Sequence, residues 1–315
     1  MRLASRSRLS RTVRSPGLAV LVAIVLTLTA FNTVTSPGAA GAGGFQGLPN
    51  VAPNACHNAS LPRSYGTNFP TPNDPFSQGF FNATALGWDG NFWPVTEYLS
   101  GSFFARGVPT TFNSGGTTLC GAMYSFGIYH RNGNRPAQSV RWTQDNGYLP
   151  AMKTSFTSGS VAVTIKDFAD KVTIGGNPFL LVYTRVSVTN NGSAAVTIDP
   201  NGAGPNLLRL TSTALNTVQP GQTNNHDYVA AVDNFGTGAT LPTGSTLSAG
   251  APSFDTAYTQ MVNYWNGRLA ETTGFTLPNL TLPNTGNLAD PGTALTNAFK
   301  AGEIYLLMMQ VGEAQ

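Results

Sequence analysis

Charge is scarce in this chain: only 10% of its 315 residues are Asp, Glu, Lys or Arg, against roughly a quarter in an ordinary soluble domain. Cysteine and histidine are scarcer still, with Cys56 and Cys120 and then His57, His130 and His226 spread along the sequence. No spacing among them matches a zinc site, so neither a structural metal nor a cofactor is expected. A phosphate-cradling loop is missing as well, because "TIGGNP" and "FNSGGTT" lack the following Lys and the required glycine spacing. There is no serine-nucleophile motif around which a triad could assemble, and no internal repeat.

A long spanning helix is also lacking. The most apolar run, "LAVLVAIVLTLTAF" from Leu18 to Phe31, has 14 residues, short of the roughly 20 that cross a bilayer. It follows Arg2, Arg6, Arg8, Arg11 and Arg14 and precedes the small residues "SPGAAGAGG", which is the layout of an export signal. Residues 1–42 are therefore expected to be a signal peptide cleaved after Ala42, with an uncleaved anchor as the alternative. No two of these arginines are adjacent, which favours the general secretory route over the twin-arginine one.

Removing the signal reverses the charge. Five of the 17 basic residues and none of the 14 acidic ones precede residue 43, so the remainder carries −2. The basic pI of about 8.9 belongs to the precursor and implies no nucleic-acid or anionic-membrane partner. A secreted location, with no stable membrane anchor after cleavage, follows as an expectation. In that setting Cys56 and Cys120 pair as one disulfide, or stay as two separate buried thiols.

What the chain has in quantity is Gly, Pro, Asn, Ser and Thr around short alternating runs. Residues 43–115 show little periodicity and read as loops with occasional strands. From 116 on, "SVAVTIKDF" alternates Val161, Val163 and Ile165 against Ala162, Thr164 and Lys166, and "FLLVYTRVSVTN" puts Leu180, Val182, Val186 and Val188 on one face. The Asn-Gly of "VTNNGSAAVTI" predicts a hairpin turn. "RPAQSVRWT", "GYLPAMKTSF", "PNLLRLTST" and "DYVAAVDNF" add further strands. Many short strands with no alternating helices predict a mainly β chain, a large antiparallel β-sandwich over 43–251.

After 252 the period changes. "SFDTAYTQMVNYWNGRLAE" places Phe254, Ala257, Tyr258, Met261, Val262 and Trp265 at helical spacing, and the Pro-rich "LPNLTLPNTGNLADPG" follows, so 252–292 read as a linker helix and loop. Residues 293–315, "TALTNAFKAGEIYLLMMQVGEAQ", predict a closing helix that is apolar nearly all round. Its core "EIYLLMMQV" also fits a buried strand.

This order of parts, a β domain of about 200 residues, then "YWNGRL", "LPN" and "ALTNAFKAGEIYLLMMQVGE", resembles the six-hairpin glycosidases. "YTRVSVTNNGS" is similar to their sandwich strands, and Ala298, Lys300 and Ala301 to the start of their first barrel helix. The resemblance implies a β-supersandwich, a linker, and the first helix of an (α/α)6 barrel whose remainder lies outside these 315 residues. It places the catalytic carboxyl pair of glycoside hydrolysis on barrel loops, so no catalytic residue is expected here and the chain alone is expected to be inactive. Its implied partners are that barrel and an oligo- or polysaccharide.

One cluster could touch a sugar. "GWDGNFWPVTEYL" brings Trp88, Asp89, Trp93, Glu97 and Tyr98 together, mixing aromatic faces that stack on sugar rings with carboxylates that accept from hydroxyls. The competing reading makes Trp88 and Trp93 packing residues and Glu97 a solvated acid. Elsewhere His130, Arg131, Arg135 and Arg141 surround the turn "RNGNRP", while His226, Asp227 and Asp233 read as surface and strand-end residues. Asp167 and Asp170 read as solvated acids at a strand turn. A carbohydrate-binding or cell-envelope module working alone is the alternative function.

Overall fold

The computed structural model describes residues 83–91, 95–108, 111–114, 117–126, 138–272 and 291–309. Its early strands are short: β1 (Ala83–Leu86), β2 (Val95–Tyr98), β3 (Phe103–Ala105), β4 (Thr111–Ser114), β5 (Thr117–Cys120) and β6 (Ala122–Phe126). Four longer strands follow, β7 (Gln138–Gln144), β8 (Ala151–Ser158), β9 (Val161–Ile174) and β10 (Asn177–Asn190). Then come β11 (Val196–Thr197), β12 (Gly202–Ala203), β13 (Leu208–Arg209), β14 (Thr217–Val218) and the ten-residue β15 (Thr223–Val232).

Among the described residues the pairing is antiparallel throughout and builds a five-stranded sheet, β1-β2-β3-β6-β12, and a six-stranded sheet, β13-β15-β10-β9-β8-β7. Two small ribbons, β11-β14 and β4-β5, complete the set. The larger sheet is organised by the β9–β10 hairpin, whose 14 residue pairs run unbroken from Asn177 opposite Ile174 to Asn190 opposite Val161. Gly175 and Gly176 turn it with φ of +59° and +83°, the left-handed pair that matches strand twist and that other residues adopt at a cost.

The sheets face each other in a sandwich-like arrangement. The Thr154 hydroxyl of β8 donates to the Leu99 carbonyl beyond β2 at 2.9 Å, and the Trp142 indole of β7 donates to Glu97 of β2 at 3.2 Å. Gly101 lies so close to Ile165 that a Cβ there would come within 2.7 Å of its side chain. Alternation then sorts the residues of β9: Val163 and Ile165 enter the layer between the sheets, while Lys166 and Phe168 point to the other side.

The predicted Asn-Gly hairpin is not where the chain turns back on β10. β11 pairs with β14, and the neighbours of β10 are β9 and β15. The reason is Asn190, fully buried, whose amide donates to the carbonyls of Ala194 and Val218 while its own oxygen accepts from Gly192 N. That side chain makes a corner from a sequence that resembles a two-residue turn.

Among the described residues three helices cover the outer face of the large sheet and one end of the sandwich. α1 (Gly244–Gly250) falls inside the segment read as sandwich. α2 (Phe254–Ala270) occupies the predicted linker: Ser253 caps it by accepting from Thr256 N, and Phe254, Ala257, Met261 and Trp265 are its buried side. Phe254 packs edge-on against Phe168 and Tyr183 of the sheet, and Tyr258 edge-on against Phe168. α3 (Pro291–Met309) opens on proline, which suits a first turn with no intrahelical use for that N–H. It settles the helix-or-strand question for "EIYLLMM" because Ala301, Ile304 and Met308 recur at helical spacing on the buried side.

Candidate functional site

The cluster singled out in the sequence divides into a helix dock and a buried acid. Trp88 is buried and stacks on Tyr264 of α2 with centroids 4.0 Å apart, tilting against Trp265 at 5.9 Å. Asp89 pairs with Arg268 at 2.9 Å and accepts from the Tyr264 hydroxyl at 3.4 Å. The loop thus holds the C-terminal half of α2, and the stacking face of Trp88 is already taken. Tyr98 is buried. Trp93 lies outside the described residues, as do Cys56, His57, His130, Arg131 and Arg135, so the disulfide pairing with Cys120 does too. Among the described residues no group of three or more His, Cys, Asp or Glu is placed to hold a metal ion.

Glu97 is the unexpected member. It is 0% exposed between the sheets, beside Asp167 of β9, which is also 0% exposed. Burial pushes both carboxyls well above the usual range; the charge of Asp167 adds to this for Glu97, while the Trp142 N–H and the Thr184 hydroxyl pull the other way on Glu97 and Asp167 respectively. A third acid, Asp170, is raised to about 7 by burial against the opposing pull of the Lys171 backbone N–H. The expectation that Asp167 and Asp170 are solvated turn acids is overturned, because β9 runs straight through them to Ile174.

His226 is corrected in the same way. It sits fully buried on β15, where Arg209 Nη2 donates to its Nδ1 at 2.7 Å. Arg209 can only donate, so Nδ1 accepts and Nε2 carries the ring hydrogen. Burial, with help from Arg209, lowers its pKa to about 4. Arg209 also bonds Asp199 at 3.0 Å and Asn216 at 2.7 Å. Asp227 is chelated by Arg185 at 2.7 and 2.9 Å, and Asp233 accepts from Thr237 N and Gly238 N in a tight loop.

Paired carboxyls and a histidine are the groups general acid–base chemistry uses, yet such groups must reach the proton they move. Glu97, Asp167 and His226 are closed off from solvent inside the sandwich. They cannot meet a saccharide in this conformation. The same alternation that predicts Val163 and Ile165 inward carries Asp167 inward too, and Val95 does the same for Glu97; that signal was present in the sequence.

The surface with an open feature is α3. Its inner side is tied down by Asn91 Nδ2 donating to the Met308 carbonyl at 3.0 Å, by a 2.7 Å bond between the Tyr305 and Thr84 hydroxyls, and by Asn297 donating to the Asn146 carbonyl at 3.1 Å. Lys300 sits 4.9 Å over the Tyr148 ring. Outward, Leu295 is 44% and Leu306 73% exposed. They stand eleven residues apart, three turns of helix, on one line with Gly302. No protein-family model, curated protein or solved structure matches the chain.

Proposed function

We propose that this chain acts as the non-catalytic β-sandwich support of a secreted, glycoside-hydrolase-like protein of carbohydrate metabolism, presenting α3 to a helical partner domain. The observation that carries the reading is the two-sidedness of α3: three side-chain hydrogen bonds hold one side to the sandwich, while Leu295 and Leu306 are exposed on the other. An apolar line with a glycine in its middle lets a second helix approach closely, and helices pair through such rows. The burial of Glu97, Asp167 and Trp88 supports the non-catalytic part, since none offers a reactive or stacking face.

The test is light scattering on the purified protein with and without Leu306→Glu. Self-association through the apolar line is expected for the wild type, and Leu306→Glu restores a monomer with an unchanged circular dichroism spectrum. A wild type that is cleanly monomeric, or association indifferent to position 306, overturns the reading of α3. Turnover of an oligosaccharide by the purified protein overturns the non-catalytic part.

A further inference from the structure

Glu97 and Asp167 act on each other across the two sheets, with no cation between them among the described residues. One oxygen of each has a donor, the Trp142 indole for Glu97 and the Thr184 hydroxyl for Asp167. Glu97 Oε2 and Asp167 Oδ2 have none among the described residues, although both are fully buried. Among the described residues, the groups seen to act on the pair from neighbouring elements are neutral. Beyond the Trp142 indole and the Thr184 hydroxyl there is the Tyr305 phenol of α3, which feels Glu97 and is engaged with Thr84 and Gln144. Elsewhere on the inner face of the large sheet Arg209 and His226 are occupied with each other, and Lys166 points to the opposite face, where it pairs with Asp145 at 2.6 Å. No ion pair reaches either carboxyl among the described residues.

An ionised carboxylate in such a place is cut off from bulk solvent and has no counter-charge among the described residues, at a cost of several kcal/mol per ion. The group takes up a proton instead. We propose that the folded protein keeps Glu97 and Asp167 as a protonated, charge-poor pair, and that the pair is a clasp between the two sheets that loosens when alkaline medium forces it to ionise. Protonation gives the site the O–H donors it otherwise lacks and removes the repulsion that two carboxylates would have.

The sign of the pH dependence follows. A carboxyl that binds its proton more tightly folded than unfolded contributes stability that is complete below its unfolded value, roughly 4, and is lost as pH rises through its folded value. Glu97→Gln and Asp167→Asn copy the protonated shape and cannot ionise. Thermal unfolding of the full chain and of each variant, from acid to alkaline pH, tests the clasp, and Asp170→Asn, on the other face of β9, measures separately the part of the alkaline fall that belongs to that third acid.

The expected result is that the wild-type midpoint falls by on the order of 5 °C toward alkaline pH and that Glu97→Gln removes a large part of this fall, leaving the variant as stable as the wild type in acid and more stable in alkali. A fall that Glu97→Gln and Asp167→Asn both leave intact overturns the proposal. Should either variant fail to fold, carbon-13 NMR of the wild-type side-chain carboxyls decides: two buried carboxyls that keep their acid-form shift at neutral pH support the clasp, and titration of every carboxyl in the ordinary range overturns it.

Discussion

Around Lys166 and Asp167 the two faces of the large sheet handle charge in opposite ways. On the outer face, Lys166 pairs with Asp145, and Arg185 bonds Asp227 and Asp255 while lying 4.0 Å over the Phe254 ring. On the inner face, one residue away along the same strands, Asp167 and Thr184 meet Glu97 with no cation in reach among the described residues. Burial differs accordingly: Asp255 keeps 78% of its side chain exposed, whereas Asp167 keeps none. On the outer face Asp145, Asp227 and Asp255 each lie against an opposite charge, whereas Asp170, on that same face, has no ion pair among the described residues and is raised to about 7 by burial. The inner face has to hold its acids neutral. Strand periodicity sets the two chemistries side by side in the sequence and a sheet's thickness apart in space.

The strongest way to break the contrast is to remove the apolar layer that seals the outer helix. Phe168→Ala deletes a ring that stacks on Tyr183 at 5.3 Å and meets Phe254 and Tyr258 edge-on. A loss of about 4 kcal/mol is expected in denaturant unfolding, with α2 released along with the ring cluster.

A smaller effect comes from acidifying His226. Its pKa is lowered to about 4 when folded, against roughly 6.5 unfolded. The unfolded chain therefore binds the extra proton first, so stability is complete above about 6.5 and declines as pH falls toward 4, by on the order of 2 kcal/mol. Unfolding of His226→Gln over that window should show a shallower decline.

Asp170 moves the other way by a comparable amount. Raised to about 7, it contributes stability below roughly 4 that disappears as pH rises through 7. Asp170→Asn should match the wild type in acid and exceed it by on the order of 2 kcal/mol in alkali, read as a difference in denaturation midpoint. Arg185→Met comes next: it leaves Asp227 partly buried and unpaired, and about 1–2 kcal/mol of stability should go, less at high salt. Leu306→Glu should be smallest for stability, within about 0.5 kcal/mol, because its side chain faces solvent.

Much of this was legible in the residues. The alternation around Val161–Ile165 and Leu180–Val188 marks the two long strands, and the helical spacing of Phe254, Ala257, Tyr258, Met261, Val262 and Trp265 marks α2, of which Tyr258 and Val262 are only partly buried. The inward acids were readable from parity, but a carboxylate at a core position runs against burial preference and invites a loop assignment. Trp88 was legible as a large aromatic that needs cover; that its cover is Tyr264, 176 positions along the chain, was not.

By itself, then, the sequence determined the classes of element, because period two and period 3.6 are local properties of side-chain spacing. It also determined the low charge that left the inner layer with so few counter-ions to offer. Only the tertiary structure decided that Glu97 of β2 lies beside Asp167 of β9, that His226 is neutral beneath Arg209, and that α3 buries one side and exposes Leu295 and Leu306 on the other. Those outcomes depend on which strands pair and which faces meet, and pairing partners far apart in the chain leave no local signature.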